Sequence, residues 1–155
     1  MLPLLLPPAQ TQTPVPAPLP NPLPDGTREA LLEALADGRK AEATYAGVLA
    51  RFGPVEPFLS VVEAERRDQA ALLELLRAHT IEVPETPLKT EPPRIPAATL
   101  PEACAEGVKL EEASIALYER LLSKVREPDV REVFRRIQTA SRDHHLPAFR
   151  RCANL

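Results

Sequence analysis

The stretch that decides the fold is Ala34-Leu-Ala-Asp-Gly-Arg-Lys-Ala-Glu42, and a related stretch, Ala103-Cys-Ala-Glu-Gly-Val-Lys-Leu-Glu111, follows later in the chain. One offset aligns both glycines, Gly38 with Gly107, and also aligns the two final glutamates. Small and apolar residues recur in both stretches at intervals of three and four, which is typical of an α-helix. We therefore interpret the two stretches as equivalent helices in two copies of a helical hairpin.

The same helical period extends in both directions from each stretch. Aromatic residues make up only 4% of the chain and it has only 5 glycines, which leaves little material for a sheet with tight turns. Proline separates the helical segments, because nine of the 19 prolines lie in residues 1–24 and five lie in residues 84–96. The pattern predicts four helices, at about residues 27–52, 56–79, 101–125 and 128–152, with a local kink at Pro147.

The connections between the predicted helices define the architecture. Short turns join the first helix to the second and the third to the fourth, which makes each pair antiparallel. The linker between the pairs, residues 80–99, is long enough to run the length of a helix and is expected to lie along the bundle as an extended strap. We predict an all-α four-helix bundle at residues 26–155, with two helical hairpins joined by a long proline-rich crossover. An up-down bundle with a slack loop is the alternative.

The proline-rich residues 1–25 are typical of an extended tether, because closely spaced prolines remove backbone donors and fix φ. Its beginning, Leu2-Pro-Leu-Leu-Leu-Pro, is similar to the remnant of a signal-peptide apolar region and is too short to span a bilayer. This similarity favours an exported protein, periplasmic or extracellular. A disordered tail on a cytoplasmic protein is the alternative.

The charge balance and the motifs exclude several classes of function. The formal net charge is -3, which argues against binding to nucleic acid because neutralising phosphates needs a surplus of basic residues. The sequence has no glycine-rich phosphate loop, no nucleophile elbow, no Cys-x-x-Cys motif and no segment suited to span a membrane. These observations leave open the alternative that the protein forms a homo-oligomer.

Five polar residues occupy mid-helix positions on the stripes that otherwise face the predicted core: Glu42, Glu65, Asp68, Glu111 and His144. Burying an ionised carboxylate without a partner is costly, so a chain that carries four of them must compensate. A divalent cation would do so. Pairing with basic residues is the alternative, but neighbours such as Arg66 and Arg67 lie off the stripes. We predict that the five polar residues converge in one layer of the bundle and bind metal.

This set of residues resembles the ferritin-like superfamily over residues 27–153, and within it a small, largely uncharacterised branch. The phrases that carry the resemblance are Glu42-Ala-Thr-Tyr45, Ala64-Glu-Arg-Arg-Asp68, Glu111-Glu112 and Ser141-Arg-Asp-His-His-Leu-Pro-Ala-Phe149. In that superfamily two helices each supply one Glu and two supply a Glu-x-x-His motif, and together they hold two metal ions. The resemblance thus implies the ligands Glu42, Glu65, Glu111 and His144.

Two positions depart from the superfamily pattern. Asp68 stands where the first histidine is expected, and it can still ligate Fe or Mn through oxygen. Ser141 stands where the second bridging glutamate is expected and is a poor ligand, so the site would hold one metal, hold two weakly or be a vestige. Glu112 and His145 are the alternates if the helix rotation differs, and His145-Leu-Pro-Ala-Phe149 is similar to a phrase of the superfamily.

The resemblance implies a protein that binds Fe or Mn ions and is redox-active toward oxygen or peroxide at a degenerate site. The rival hypothesis is a non-catalytic, exported helical module that binds a partner and has no functional metal site. Tyr45 and Tyr118 are predicted to be core residues, with a minor alternative role as redox-active neighbours of the metal.

The two cysteines are predicted to pair. Cys104 is seven residues before Glu111, and Cys152 is eight after His144. At about 1.5 Å per residue along antiparallel helices, both thiols then lie at one height if Glu111 and His144 share a layer. We expect a Cys104–Cys152 disulfide, which persists only in an oxidising compartment and so favours export. Two buried free thiols in a cytoplasmic bundle are the alternative.

Overall fold

The computed structural model describes residues 23–85 and 96–155, and within these ranges the chain is helical and contains no strand. The elements are α1 (Asp25–Phe52), α2 (Phe58–Ala78), α3 (Leu100–Lys124), α4 (Pro128–Ala140), a π-helical turn (Ser141–His145) and α5 (Leu146–Ala153). The predicted all-helical class is confirmed, although the predicted fourth helix is divided in three. Among the described residues, no helix combines the length and the apolar character needed to cross a membrane. Most of the predicted tether and the centre of the predicted strap lie outside the described residues.

Two apolar clusters fill the bundle, one toward each end. The lower cluster includes Leu31, Leu35, Leu72, Leu76, Tyr118 and Phe134, and the upper cluster includes Tyr45, Phe58, Val61, Cys104, Leu146 and Phe149. Along α2, Val61 belongs to the upper cluster and Leu72 to the lower one, with the buried Glu65 between them. The polar layer between the clusters consists of Glu65, Gln69, Glu111, Ser141 and His145. The bundle therefore carries buried polar side chains at mid-height, and Glu65 and Glu111 are the two of the five predicted residues among them.

The two described ends of the connection between α2 and α3 lie at opposite ends of the bundle. Ile81 and Val83, just after α2, pack against the lower cluster, whereas Ala97 and Leu100 belong to or pack against the upper one. Helices α2 and α3 therefore run parallel, and each is antiparallel to its hairpin partner. This is the arrangement of two hairpins joined by a crossover, and it excludes the up-down alternative.

The kink predicted at Pro147 takes the form of the π turn that precedes it. The amide of Leu146 donates a hydrogen bond to the carbonyl of Ser141, five residues earlier, so this turn is one residue wider than an α-helical turn. Pro147 has no N–H and cannot continue the α-helical ladder back to residue 143, which leaves room for the wider turn.

The π turn moves the inward-facing positions of the last helix by one residue. His145 and Phe149 are buried, whereas His144 is exposed and Ala148 is only partly buried. An uninterrupted α-helix would place His144 and Ala148 on the core-facing stripe, which is the register predicted from the sequence. That register is wrong after Ser141.

Helices α3 and α5 approach closely where the ring of Phe149 lies against Gly107. A Cβ atom at Gly107 would lie 2.6 Å from Cδ1 of Phe149. The ring centroid of Phe149 is 5.2 Å from that of Tyr45 and 5.0 Å from that of Phe58, so the ring has little room to move away. The glycine of the second repeated stretch is therefore required by helix packing.

We expect Gly107→Ala to destabilise the protein by about 1–3 kcal/mol, because overpacking outweighs the gain of about 1 kcal/mol in helix propensity. Urea unfolding followed by circular dichroism measures the change. The matched control is Gly26→Ala in α1, where a Cβ atom meets nothing within 4 Å. Equal or greater stability of the Gly107 variant would contradict the close packing.

The predicted disulfide is confirmed. Cys104 in α3 and Cys152 in α5 are bonded, with their Cα atoms 5.7 Å apart. The alternative of two free thiols is not found in the structure. The bond fastens the last helix to α3 beyond the π turn.

Removing this bond is expected to lower the free energy of unfolding by about 2–4 kcal/mol, because the reduced unfolded chain gains conformational freedom. Guanidinium unfolding of the oxidised protein, with and without dithiothreitol, measures the difference. A variant carrying Cys104→Ser and Cys152→Ser serves as control and should not respond to the reductant. An unchanged midpoint for the reduced wild type would show that the bond adds no stability.

Candidate metal centre

Glu111 lies at the centre of the polar layer. It is 2% exposed, and its Oε1 accepts a hydrogen bond of 2.6 Å from the hydroxyl of Tyr45 in α1. Burial, together with the negative charge of Glu111, raises the pKa of Tyr45 well above its ordinary value, so the phenol stays protonated and donates. The second oxygen, Oε2, is buried and has no hydrogen-bond partner. One carboxylate oxygen is thus fixed and the other is available to bind.

His145 faces this available oxygen from the π turn. It is 7% exposed, and its Nδ1 lies 3.4 Å from Oε2 of Glu111. The contact lacks hydrogen-bond geometry, and both atoms are without a hydrogen-bond partner. Buried polar atoms in folded proteins are nearly always satisfied, so two facing unsatisfied atoms require an explanation.

Glu65 completes the group from α2. One ligand atom from each of Glu65, Glu111 and His145 lies within 4.8 Å of the other two, and all three residues are buried. Burial first, and then the negative charges of Glu111 and Asp68, raise the pKa of Glu65 to about 9. Without a cation the Glu65 carboxyl is therefore protonated at neutral pH. A cation in the cluster would favour the ionised form.

Two further carboxylates surround the cluster. Asp68 lies about one turn after Glu65; its Oδ2 is buried without a partner, and burial raises its pKa against the lowering effect of Arg136. Asp37, which was not predicted from the sequence, accepts a hydrogen bond of 2.9 Å from Ser114, and burial raises its pKa as well. The residue aligned with it, Glu106, forms a surface ion pair with Lys109, so the repeat gave no signal for a buried carboxylate here. Both carboxylates add to the negative potential of the layer.

The prediction that Glu42 joins the cluster is wrong. Its side chain is 30% exposed and accepts hydrogen bonds from Nε of Arg66 at 2.8 Å and from Nε2 of Gln69 at 2.7 Å. Although partial burial opposes the effect, these two donors lower the pKa of Glu42. The Gln69 side chain packs over Gly38 and donates to its carbonyl, so it occupies the inward position beside α1. The charge of Glu42 is therefore compensated by Arg66, which is the alternative to metal binding considered above.

The sequence offers an alternate ligand at two positions, and the structure favours the alternate at one of them and the original residue at the other. His144 is exposed, so the prediction that it converges with the carboxylates is wrong, and its alternate His145 is the buried histidine. Glu112 is exposed and accepts a bond of 2.9 Å from Arg150, so Glu111 is the inward glutamate as predicted. Ser141 is buried in the same layer and brings no carboxylate to it.

The geometry defines a class: an all-helical bundle with a buried carboxylate–histidine cluster at mid-height. No protein-family model matches the chain, and no curated protein matches it. Among solved structures, the chain is similar to a hypothetical protein, MJ0754, from Methanococcus jannaschii DSM 2661. The TM-score is 0.75 at 20% identity, over 92% of this chain and 86% of that one. At this identity the likeness shows the fold alone.

Proposed function

We propose that the protein is a ferritin-like metal-binding protein that holds one iron or manganese ion with Glu65, Glu111 and His145. The observation that carries the proposal is the pair of facing atoms, Oε2 of Glu111 and Nδ1 of His145, which are buried 3.4 Å apart and share no hydrogen bond. A cation between them accounts for both unsatisfied atoms. Two carboxylates and one imidazole form a donor set that suits Fe and Mn.

The donor set supports one ion and not two. A second ion would need ligands at the positions of Glu42 and His144, but the Glu42 carboxylate is bonded to Arg66 and Gln69, and His144 is exposed. Ser141 offers no bridging carboxylate. Asp68, with its unpartnered Oδ2, is a candidate fourth ligand for the same ion.

The neighbouring residues prepare the cluster for such an ion. Tyr45 orients Glu111 and leaves Oε2 available, in the way that outer hydrogen bonds usually orient metal ligands. The π turn presents the His145 ring to the layer, and the apolar clusters above and below it exclude water. Bound iron or manganese would supply one-electron chemistry toward oxygen or peroxide. The buried Tyr45 hydroxyl donates its proton in a hydrogen bond to Glu111, and so holds a proton next to this proposed ligand.

An exported location accompanies this proposal. The Cys104–Cys152 bond is compatible with an oxidising compartment, which supports this location.

Metal analysis tests the proposal. Protein purified without chelator, then stripped and titrated with Mn²⁺ or Fe²⁺ under anaerobic conditions, is expected to bind one ion per chain. The melting temperature should fall when a chelator removes the ion, because binding to the folded state stabilises it. Substoichiometric binding, with a melting temperature that no metal or chelator changes, would overturn the proposal and favour the rival non-catalytic module.

A further inference from the structure

A cleft lies between α2 on one side and the end of α4, the π turn and α5 on the other. Its volume is about 650 Å³, within the usual range of small-molecule sites. Small and apolar side chains line it from both sides: Val61, Ala64, Ala140 and Ala148. The cleft can therefore accommodate a short apolar body.

His145 connects this cleft to the polar layer. It lines the cleft while its unpartnered Nδ1 faces Glu111 in the buried cluster. The residue is 7% exposed, so the cleft reaches a side chain that is otherwise enclosed by the bundle. A molecule in the cleft would contact the imidazole that we assign to the metal ion.

The charges at the cleft favour an anion. Arg67 from α2 and Arg151 from α5 line opposite walls, and neither guanidinium forms an ion pair or hydrogen bond with another described residue. The one acidic residue in the lining, Glu56, accepts hydrogen bonds from the amide and hydroxyl of Ser60 at 3.3 and 2.9 Å. Two arginines against one glutamate leave a single positive charge, which matches a monoanion better than a dianion.

We propose that this cleft binds a small organic acid with one carboxylate and an apolar body, between Arg67 and Arg151 and beside the proposed metal site. The position beside a metal ion rests on the proposed function, whereas the binding rests on the cleft alone. The planar guanidinium matches carboxylate geometry, and the alanine-lined walls receive the carbon chain. Phosphate, which carries more charge and no apolar body, fits this lining less well.

The proposal is tested with hexanoate as the probe, titrated into the full metal-free chain in a buffer free of carboxylates. Binding is followed by calorimetry and by shifts of the alanine methyl resonances. Arg67→Gln and Arg151→Gln are each expected to weaken hexanoate binding by about tenfold or more, as for the loss of a hydrogen bond to a charged group. Arg28→Gln in α1, outside the cleft, is the matched control and should bind hexanoate as the wild type does. Hexanol and inorganic phosphate should bind more weakly than hexanoate.

A parallel Mn²⁺ titration of the same variants separates the two proposals. Hexanoate binding that depends on both arginines, in variants that still take up one Mn²⁺ per chain, supports the assignment. Arginine-dependent hexanoate binding without Mn²⁺ uptake overturns the proposed function and leaves an acid-binding cleft. Mn²⁺ uptake with no hexanoate binding, or with binding that both arginine variants retain, overturns the cleft proposal alone.

Discussion

Replacing His145 with alanine is expected to lower the affinity for Mn²⁺ by at least about 100-fold, whereas replacing His144 should leave it essentially unchanged. Loss of an outer hydrogen-bond partner of a metal ligand already costs about 10–100-fold in affinity, so loss of a ligand should cost more. The two histidines are adjacent in the π turn, but His145 is buried and His144 is exposed. Calorimetric titration of each variant with Mn²⁺ measures the difference.

Comparing the His145→Ala and His144→Ala variants tests which of the two histidines faces the cluster, with each variant as the matched control for the other. Both substitutions remove the same side chain from the same turn, so a general effect of the substitution should appear in both variants. Circular dichroism of the metal-free proteins verifies that each variant is folded. Weakened binding in the His144 variant with normal binding in the His145 variant would restore the uninterrupted helical register and contradict the cluster described here.

Replacing Glu65 with glutamine is expected to stabilise the metal-free protein at alkaline pH and to flatten its stability profile. The pKa of Glu65 is raised from an ordinary 4.5 to about 9, mainly by burial and by the charge of Glu111. A carboxyl with a raised pKa contributes fully below pH 4.5, and its contribution is lost as the pH rises toward 9. Wild-type protein without metal should therefore lose stability over this interval.

The size of this effect follows from the shift. One pKa unit corresponds to about 1.4 kcal/mol, so the loss between pH 5 and pH 9 is on the order of 5 kcal/mol. Glutamine is neutral throughout and should match the wild type near pH 5 but exceed its stability near pH 9. Asp37 and Asp68 also have raised pKa values, so the variant keeps a smaller slope of the same sign.

Urea unfolding at a series of pH values, in the presence of a chelator, measures both profiles. Glu74→Gln is the control, because Glu74 is an exposed residue of the same helix and its replacement should leave the profile unchanged. Parallel profiles for the wild type and the Glu65 variant would mean that Glu65 reaches solvent and does not lie in a buried cluster.

The course of the chain could be predicted because it depends on local signals. Apolar residues at intervals of three and four mark the helices, prolines mark their separation, and the linker is long enough to permit a crossover. The disulfide prediction also succeeded, since it required only the approximate height of Cys104 and Cys152 along two antiparallel helices. An error of one residue in rotation changes this height by only about 1.5 Å.

The cluster was predicted less well because it depends on rotation about the helix axis. One extra residue in the π turn turns the later positions by about a quarter of a circle, which exchanges His144 for His145. Pro147 indicated that the helix is irregular here, but not that the irregularity is a π turn. At Glu42, the stripe does not reveal that Gln69 fills the inward space over Gly38 while Arg66 holds the carboxylate outward. Such competition between side chains is decided by packing that a linear pattern does not contain.

The central claim, that Glu65, Glu111 and His145 hold one metal ion, is tested most directly by pulsed electron paramagnetic resonance of the Mn²⁺-loaded protein with ¹⁵N-labelled histidine. We expect one manganese per chain with the coupling of a single directly bound imidazole nitrogen, and we expect that coupling to disappear in the His145→Ala variant and to persist in His144→Ala. A spectrum of manganese surrounded only by water, or a nitrogen coupling that survives the loss of His145, would contradict the account.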